Sequence, residues 1–405
     1  MKKTNKSNIL SKEQVQYLAL ISQELIASST TKNKTIDVIT NLGYIQIDTL
    51  AVIARAHHHT LWSRLPNYKE EELNDLMTKK LVFEYWSHAA SYLPMSDYRF
   101  SLPRKKMYAD GKSHWFEQDK KIKKYVLDRI KAEGALQSKD FEFKRQGPGN
   151  WFEWKPAKKA LEQLFMEGKL MVANRKGFQK IYDLTERIVP SGTNTTLPNA
   201  KEYAQHLVSK TIQAHGIVSE NEILYMRNDL KTDVNNLLKE QLKAGVLLEV
   251  KIEGDNKSYY TTASTLEKLN KKSNSEKTVH LLSPFDNMVI QRKRLQSLFN
   301  FDYGIECYLP EAKRKYGYFS LPVLFDNQFV ARIDPKADRL SQIFHIKSIH
   351  FEKGFKPTDE FNRIFAKKLK SFALFNGCNS IQTEHLGTTN GTIKKLISTI
   401  NNELK

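Results

Sequence analysis

The stretch from Gly216 to Thr262, GIVSENEILYMRNDLKTDVNNLLKEQLKAGVLLEVKIEGDNKSYYTT, decides the fold. Ser219 ahead of Glu220 to Leu224 reads as a short capped helix, because a serine hydroxyl can accept one of the backbone N–H groups that a first helical turn leaves without a partner. A longer helix follows at Val234 to Lys243. Gly245 then hands over to a strand (VLLEVKI), a turn (EGDNK) and a second strand (SYYTT). With the helix Tyr203 to Gln213 in front, the order is helix, capped helix, helix, hairpin. That is the order of a winged helix, a helix-turn-helix closed by a β-hairpin.

The same punctuation occurs once more, upstream. Ile122 to Lys131 reads as an amphipathic helix, followed by Gly134 to Ser138, a short helix at Lys139 to Phe143 and a longer one at Pro156 to Glu167. Gly168, a strand (KLMVAN), a turn (RKG) and a strand (KIYDLT) complete the copy. The first segment is similar but longer. Ser11 to Gln14 forms a capping box opening a helix to about Ile26, a second helix spans Thr35 to Asn41, and Gly43 leads into an extended run from Tyr44 to Leu50. The first eight residues read as a loose tail, and Ser191 to Ala200 and Lys271 to Thr278 as polar linkers. From Val279 onward, extended pieces at Gly304 to Tyr308, Tyr316 to Phe325 and Gln328 to Ile333 predict an antiparallel sheet or small barrel, closed by a helix from about Asp359 to Phe375. The expected fold is therefore α+β, with tandem winged-helix domains followed by a C-terminal β-rich, barrel-like domain. Its regions are a first winged-helix-like region at 1–110, winged helices at 111–198 and 199–272, and the β-rich domain at 273–405.

Composition narrows the function. The 405 residues carry 64 Lys or Arg against 45 Asp or Glu, a formal charge of +19, so the expected large partner is a polyanion. Residues 101–190 alone hold 21 Lys or Arg against 12 Asp or Glu, interleaved with Tyr108, His114, Trp115, Phe116, Tyr125, Trp151, Phe152 and Trp154. Arg175 and Lys176 sit on the tight turn of a candidate wing. Such a surface grips phosphates by releasing counterions, although a charged face also serves simply to solvate a protein. Two cysteines, Cys307 and Cys378, cannot build a disulfide framework and fit a reduced, cytoplasmic compartment; both read as plain core residues. No apolar run reaches the roughly 18 residues a membrane-spanning helix needs, and the start MKKTNKSNIL lacks the apolar stretch of a secretory signal. No phosphate-binding Gly-rich loop with Lys-Ser/Thr exists, and no Cys or His pairing suits a metal. His57, His58 and His59 are consecutive, so their side chains diverge and do not chelate together. No cofactor is expected.

One short motif is a candidate for chemistry. In Ile45-Gln46-Ile47-Asp48-Thr49, a strand would put Gln46 and Asp48 on one face and both isoleucines in the core. A carboxylate beside an amide can hold a water between them, yet polar residues alternate on every half-buried strand, and pattern alone leaves both readings open.

The surrounding stretch LGYIQIDTLAVIARAHHHTLWSRL, Leu42 to Leu65, resembles the YcaQ/AlkZ-type family of winged-helix DNA glycosylases. Gln46 and Asp48 fall on that family's catalytic Gln-x-Gln or Gln-x-Asp, in the second form. Tyr85-Trp86-Ser87-His88-Ala89 is also similar, as is LLSPFDNMVIQRKRLQSLFNFDYGIECYLPEAKRKYGYFSLPVL, Leu281 to Leu324, with Arg332 to Arg339 behind it. Residues 105–190 and 200–275 match mainly in architecture. The resemblance implies a DNA repair enzyme that hydrolyses the N-glycosidic bond of bulky N7-alkylguanines and unhooks interstrand crosslinks. The natural partner would be damaged double-stranded DNA in the cytoplasm, associated with the nucleoid.

An N7-alkylated guanine is cationic and already a good leaving group. The enzyme then needs a negative charge near the developing oxocarbenium ion and a positioned water, which Asp48 and Gln46 would supply. No lysine neighbours the motif, so a monofunctional hydrolase without a Schiff-base step is expected. Arg64, Lys313, Arg314 and Lys336 are candidate phosphate contacts, each equally readable as a solvated cation. Tyr316 and Tyr318, two apart in an expected hairpin, would wedge a groove or pack a sheet; His88 would touch DNA or sit satisfied beside Trp86. A non-enzymatic winged-helix regulator is the alternative reading, and an RNA-binding factor a third. No heptad or apolar seam stands out, so a monomer is expected.

Overall fold

The computed structural model describes residues 8–26, 34–112, 117–141, 156–271, 277–383, 395–396 and 398–400. Most predicted elements lie within a few residues of their expected ends. Ser11 caps the helix Lys12–Ser22 through a reciprocal box: its hydroxyl accepts from Gln14 N at 3.2 Å, and Gln14 Oε1 accepts from Ser11 N at 2.8 Å. Asn8, expected at the end of a loose tail, belongs to a strand, Asn8–Leu10, running parallel to Leu248–Ile252; residues 1–7 lie outside the described residues. The fold is mixed α and β, with two compact units: Met1–Asn33, Ile45–Tyr68 and Leu207–Lys405 form one, Lys34–Tyr44 and Lys69–His206 the other.

The two internal copies share a pairing pattern that the sequence did not reveal. In the first, helices Lys120–Glu133 and Pro156–Met166 precede the hairpin Leu170–Lys176 and Gln179–Leu184, and Leu136 pairs antiparallel with Tyr182. In the second, helices Ala200–His215, Glu220–Ile223 and Lys231–Lys243 precede the hairpin Leu248–Ile252 and Asp255–Thr261, and Val218 bridges antiparallel to Tyr260. Each copy thus ties the residue after its Gly-containing turn to the second hairpin strand. The expected short helix at Lys139 to Phe143 is a single 3-10 turn, Ser138–Asp140, with 142 and 143 outside the described residues. His114, Trp115, Phe116, Trp151, Phe152 and Trp154 of the basic aromatic stretch also lie outside them.

In the unit containing Leu207–Lys405, one apolar core joins three parts of the chain. Val15 and Leu18 from the first helix, Ile217, Val250 and Tyr259 from the second copy, and Leu282, Leu295, Phe301, Leu324 and Phe329 from the C-terminal part share it. Five strands follow in the order Val279–Leu281, Leu321–Phe325, Gln328–Asp338, Ile343–Phe351 and Ser380–Thr383, antiparallel except for the last pair. Register shifts at Val323/Leu324 and Asp334/Pro335 increase the local twist and help curl the sheet into a half barrel. Thr358 caps the closing helix Asp359–Phe375, whose Phe361, Phe365, Leu369 and Phe372 form a fully buried stripe at helical spacing. The extended pieces expected at Gly304 to Tyr308 and Tyr316 to Ser320 are not strands; the next section gives the physical reason.

Arg64, expected at DNA phosphate, is instead a buried clamp of this unit. Its guanidinium and the Asp286 carboxylate are both fully buried and bidentate, at 2.7 and 2.9 Å. The remaining donors reach Gln23 O at 2.7 Å, Gln23 Oε1 at 3.0 Å and Thr60 O at 3.0 Å. Gln23 in turn donates to Ala214 O at 2.6 Å and meets His215 Nδ1 at 3.3 Å. Arg294 completes the web, donating to His215 O, Ile217 O and the Glu222 carboxylate. An arginine with every face occupied and no exposed surface has nothing left for a phosphate. Replacing it with methionine strands a buried carboxylate, and the expected loss is about 3–5 kcal/mol of stability. Urea unfolding of Arg64→Met checks this; a variant as stable as wild type would refute the clamp.

Candidate active site

The short motif strand is Ile45–Gln46, and the chain then leaves regular structure. Ile45 and Ile47 are buried as alternation predicts, Gln46 is buried as well, and Asp48 is half-buried. Asp48 Oδ1 accepts Leu50 N at 2.8 Å, folding the backbone around the carboxylate. Further along, Ala337 N donates to Val52 O at 3.0 Å, Ala54 N to Asn376 Oδ1 at 2.6 Å and Arg55 Nη1 to Thr49 O at 2.7 Å. The loop from Asp48 to Arg55 is therefore pinned to the C-terminal sheet and to the end of its closing helix. Burial raises the Asp48 carboxyl above the ordinary aspartate range, opposed by N–H groups of Leu50 and Thr49 and by the Arg55 charge.

A second loop from the same unit comes within electrostatic reach of Asp48. The thiol of Cys307 and the phenol of Tyr308 are both shifted upward, first by burial and next by the Asp48 carboxylate. Cys307 is half-exposed and hydrogen-bonded to Tyr308, so it is not the plain core residue expected; Cys378 is buried. This loop explains the missing strands. The buried Glu306 carboxylate accepts the N–H groups of Lys315, Tyr316 and Gly317 at 2.9, 2.7 and 3.2 Å. The buried Asp334 carboxylate accepts those of Tyr318 and Phe319 at 3.0 and 2.9 Å. Backbone donors that would otherwise join a ladder are satisfied by two carboxylates, and the chain turns instead of extending.

The expected DNA contacts divide into exposed and committed groups. Lys313 and Lys336 are exposed, and Arg314 is half-exposed with Nε bound to Leu309 O at 2.9 Å and its guanidinium over the Tyr318 ring at 4.9 Å. Tyr316 does not lie in a hairpin: Arg332 stacks over it at 4.0 Å and His350 meets it edge-on at 5.4 Å. In the other unit, Lys176 is exposed at the end of the first strand of the hairpin. Arg175 beside it is not available to DNA, because its guanidinium pairs with the buried Glu84 carboxylate at 2.9 Å twice over and with Phe178 O at 2.8 Å. His88 occupies the turn between strands Val82–Trp86 and Ala90–Pro94, edge-on to Tyr44 at 5.0 Å with Ser87 Oγ at 3.3 Å.

The three consecutive histidines lie on the helix Ala56–Trp62; the rings of His57 and His58 meet at 4.3 Å, while His59 turns elsewhere. His58 Nδ1 meets Tyr68 Oη at 2.7 Å, and His59 Nε2 meets Leu281 O at 2.8 Å beside the Phe372 ring. Burial lowers both to about 4. Among the described residues no helix is long and apolar enough to cross a membrane.

Residues 39–373 match the family described as DNA glycosylase AlkZ-like, and the chain belongs to that family of DNA glycosylases. A solved structure of the DNA glycosylase AlkZ from Streptomyces sahachiroi is similar, with a TM-score of 0.62 over 92% of this chain and 99% of that chain. The two sequences are 14% identical, so that likeness speaks for the fold. Family membership does not favour the plain regulator that the sequence left open.

Gly317 tests whether the second loop is built as described. Its φ is +121°, and a Cβ there would overlap the Asp334 carboxylate. Gly317→Ala should lower the melting temperature and release the Tyr318 and Phe319 amides to hydrogen exchange. Unchanged protection of those two amides would count against the carboxylate-held loop.

Proposed function

We propose that this chain is a monofunctional DNA repair glycosylase that hydrolyses N7-alkylguanine from double-stranded DNA, including guanines tethered in interstrand crosslinks. The observation that carries the reading is a half-buried carboxylate, Asp48, at the last position of the Gln-x-Asp motif in a chain of the AlkZ-like DNA glycosylase family. In this reading Gln46 orients a water, and Asp48 accepts its proton and faces the developing oxocarbenium ion. Burial makes Asp48 a stronger base than a solvated aspartate. A cationic N7-alkylguanine brought against it favours the ionised form again, so the lesion's own charge readies the base. The nearby cation acting on Asp48 is Arg55, an arginine, which unlike lysine does not form a Schiff base under these conditions; this supports direct hydrolysis.

The two internal copies, within 111–198 and 199–272, are read as winged helices on the strength of their matching helix order and Leu136–Tyr182 and Val218–Tyr260 pairings. Lys176, Lys313 and Lys336 are proposed as phosphate contacts, and His88 as a polar contact; Arg314, stacked over Tyr318, is proposed as a further contact. The protein is read as acting as a monomer on nucleoid DNA in the cytoplasm.

Single-turnover cleavage of a nitrogen-mustard N7-guanine crosslink and of its monoadduct tests this. Wild type should leave an abasic site, and Asp48→Asn should be slower by roughly 10²–10⁴ while still binding DNA. Binding without product from either substrate would refute the enzyme reading for these lesions. The pH profile adds a signed test. Protonation removes the base, so kcat/KM, which reports the free enzyme, should fall on the acid side through a pKa above the ordinary aspartate range, and Asp48→Asn should lose that limb. Lys176→Ala and Lys336→Ala should each reduce the salt slope of duplex binding by about 0.9. A slope identical to wild type would exclude that lysine as a phosphate contact.

A further inference from the structure

The crest of the loop beside Asp48 presents two apolar side chains to solvent. Tyr308 is 72% exposed and Leu309 40%, on a protein whose other large apolar groups are mostly inside. The crest is also tied back to its own loop. Leu309 N donates to Glu306 O at 2.9 Å, Arg314 Nε returns to Leu309 O at 2.9 Å, and the Glu306 carboxylate holds the far side of the loop at Lys315 to Gly317. Tyr308 is further hydrogen-bonded to Cys307, and both lie within the electrostatic reach of Asp48. An exposed aromatic ring on a hydrogen-bonded loop, within electrostatic reach of a carboxylate proposed to do chemistry, has the properties of a stacking surface. Base-on-aromatic stacking tolerates any sequence, as a repair enzyme requires.

We propose that Tyr308, with Leu309 beside it, is the wedge that stacks on the base pair next to the lesion and opens the stack so that the damaged nucleotide reaches Asp48. The inference rests on the glycosylase reading above and adds to it a positioning residue. An apolar wedge driven between base steps unstacks the duplex at an energetic cost that other contacts offset. The contribution of Tyr308 should therefore depend on whether the lesion is stacked to begin with. Stacking uses the ring and not the hydroxyl, so a phenylalanine keeps the effect.

The experiment compares wild type, Tyr308→Ala and Tyr308→Phe on two substrates carrying N7-methylguanine. One is a perfect duplex, and the other holds the lesion inside a three-base mismatch bubble where it is already unstacked. Tyr308→Ala should slow single-turnover release from the duplex roughly 10- to 100-fold and leave the bubble within a few-fold of wild type. Tyr308→Phe should behave as wild type on both. Equal loss on both substrates, no loss on either, or a phenylalanine variant as slow as alanine would overturn the wedge. A second readout is independent of hydrolysis: 2-aminopurine beside the lesion should brighten on binding wild type and stay dim with Tyr308→Ala. If wild type releases no base but 2-aminopurine brightens through Tyr308, the wedge stands and the hydrolytic reading fails. If it does not brighten even with wild type, the wedge fails on its own.

Discussion

A buried arginine–carboxylate pair sets the frame on which the candidate site depends. Arg64 lies just past the helix that follows the motif loop, and Asp286 lies 222 residues away in the turn before the helix Arg292–Phe299. Two charges without exposed surface are held only because every donor on the guanidinium side finds an oxygen. Asp286 also accepts Met288 N at 2.8 Å, which fixes its own turn. Through Gln23, His215 and Arg294 the pairing reaches the first helix, the end of helix Ala200–His215 and the capped helix at Glu222. Burial and the two arginines keep His215 neutral at ordinary pH, so the web carries its positive charge on the arginines alone.

This frame has a direct relation to Asp48. The loop after the motif is anchored at Val52 and Ala54, and the helix Ala56–Trp62 that follows it ends at the Arg64 clamp. Asp48 is thus held by backbone contacts on one side and by a packed polar core a few residues further on. In the proposed reaction, a base that must aim a water at the glycosidic carbon gains from such fixation, since small misplacement costs rate heavily.

Periodic elements were legible in the sequence, and contacts over long separations were not. The closing helix Asp359–Phe375, both hairpins of the internal copies and the Ser11 capping box follow from spacing and local chemistry. Gln46 and Asp48 stood out through their neighbours, since two polar residues at i and i+2 say little alone. Arg64 and Arg175 read as surface cations because their carboxylate partners lie 222 and 91 positions away. The segment from Gly304 to Ser320 read as strand because its residues favour extension, while the acceptors that bend it, Glu306 and Asp334, act 9 to 11 and 15 to 16 positions away. Cys307 and Tyr308 carried no local signal, and only the folded chain brings them within reach of Asp48.

The carboxylate-held loop has a consequence for how such a site can diversify. A loop secured by strand pairing transmits any change in its length or sequence to the register of the sheet beneath. Here the Glu306 and Asp334 carboxylates hold the base of the loop through its backbone N–H groups, with Gly317 leaving room for Asp334, and none of the three belongs to the crest. Residues between Cys307 and Arg314 can therefore vary in bulk and charge while the half barrel keeps its alignment. Descendants of this fold have room to try new surfaces against new lesions at little risk to the scaffold that carries the chemistry.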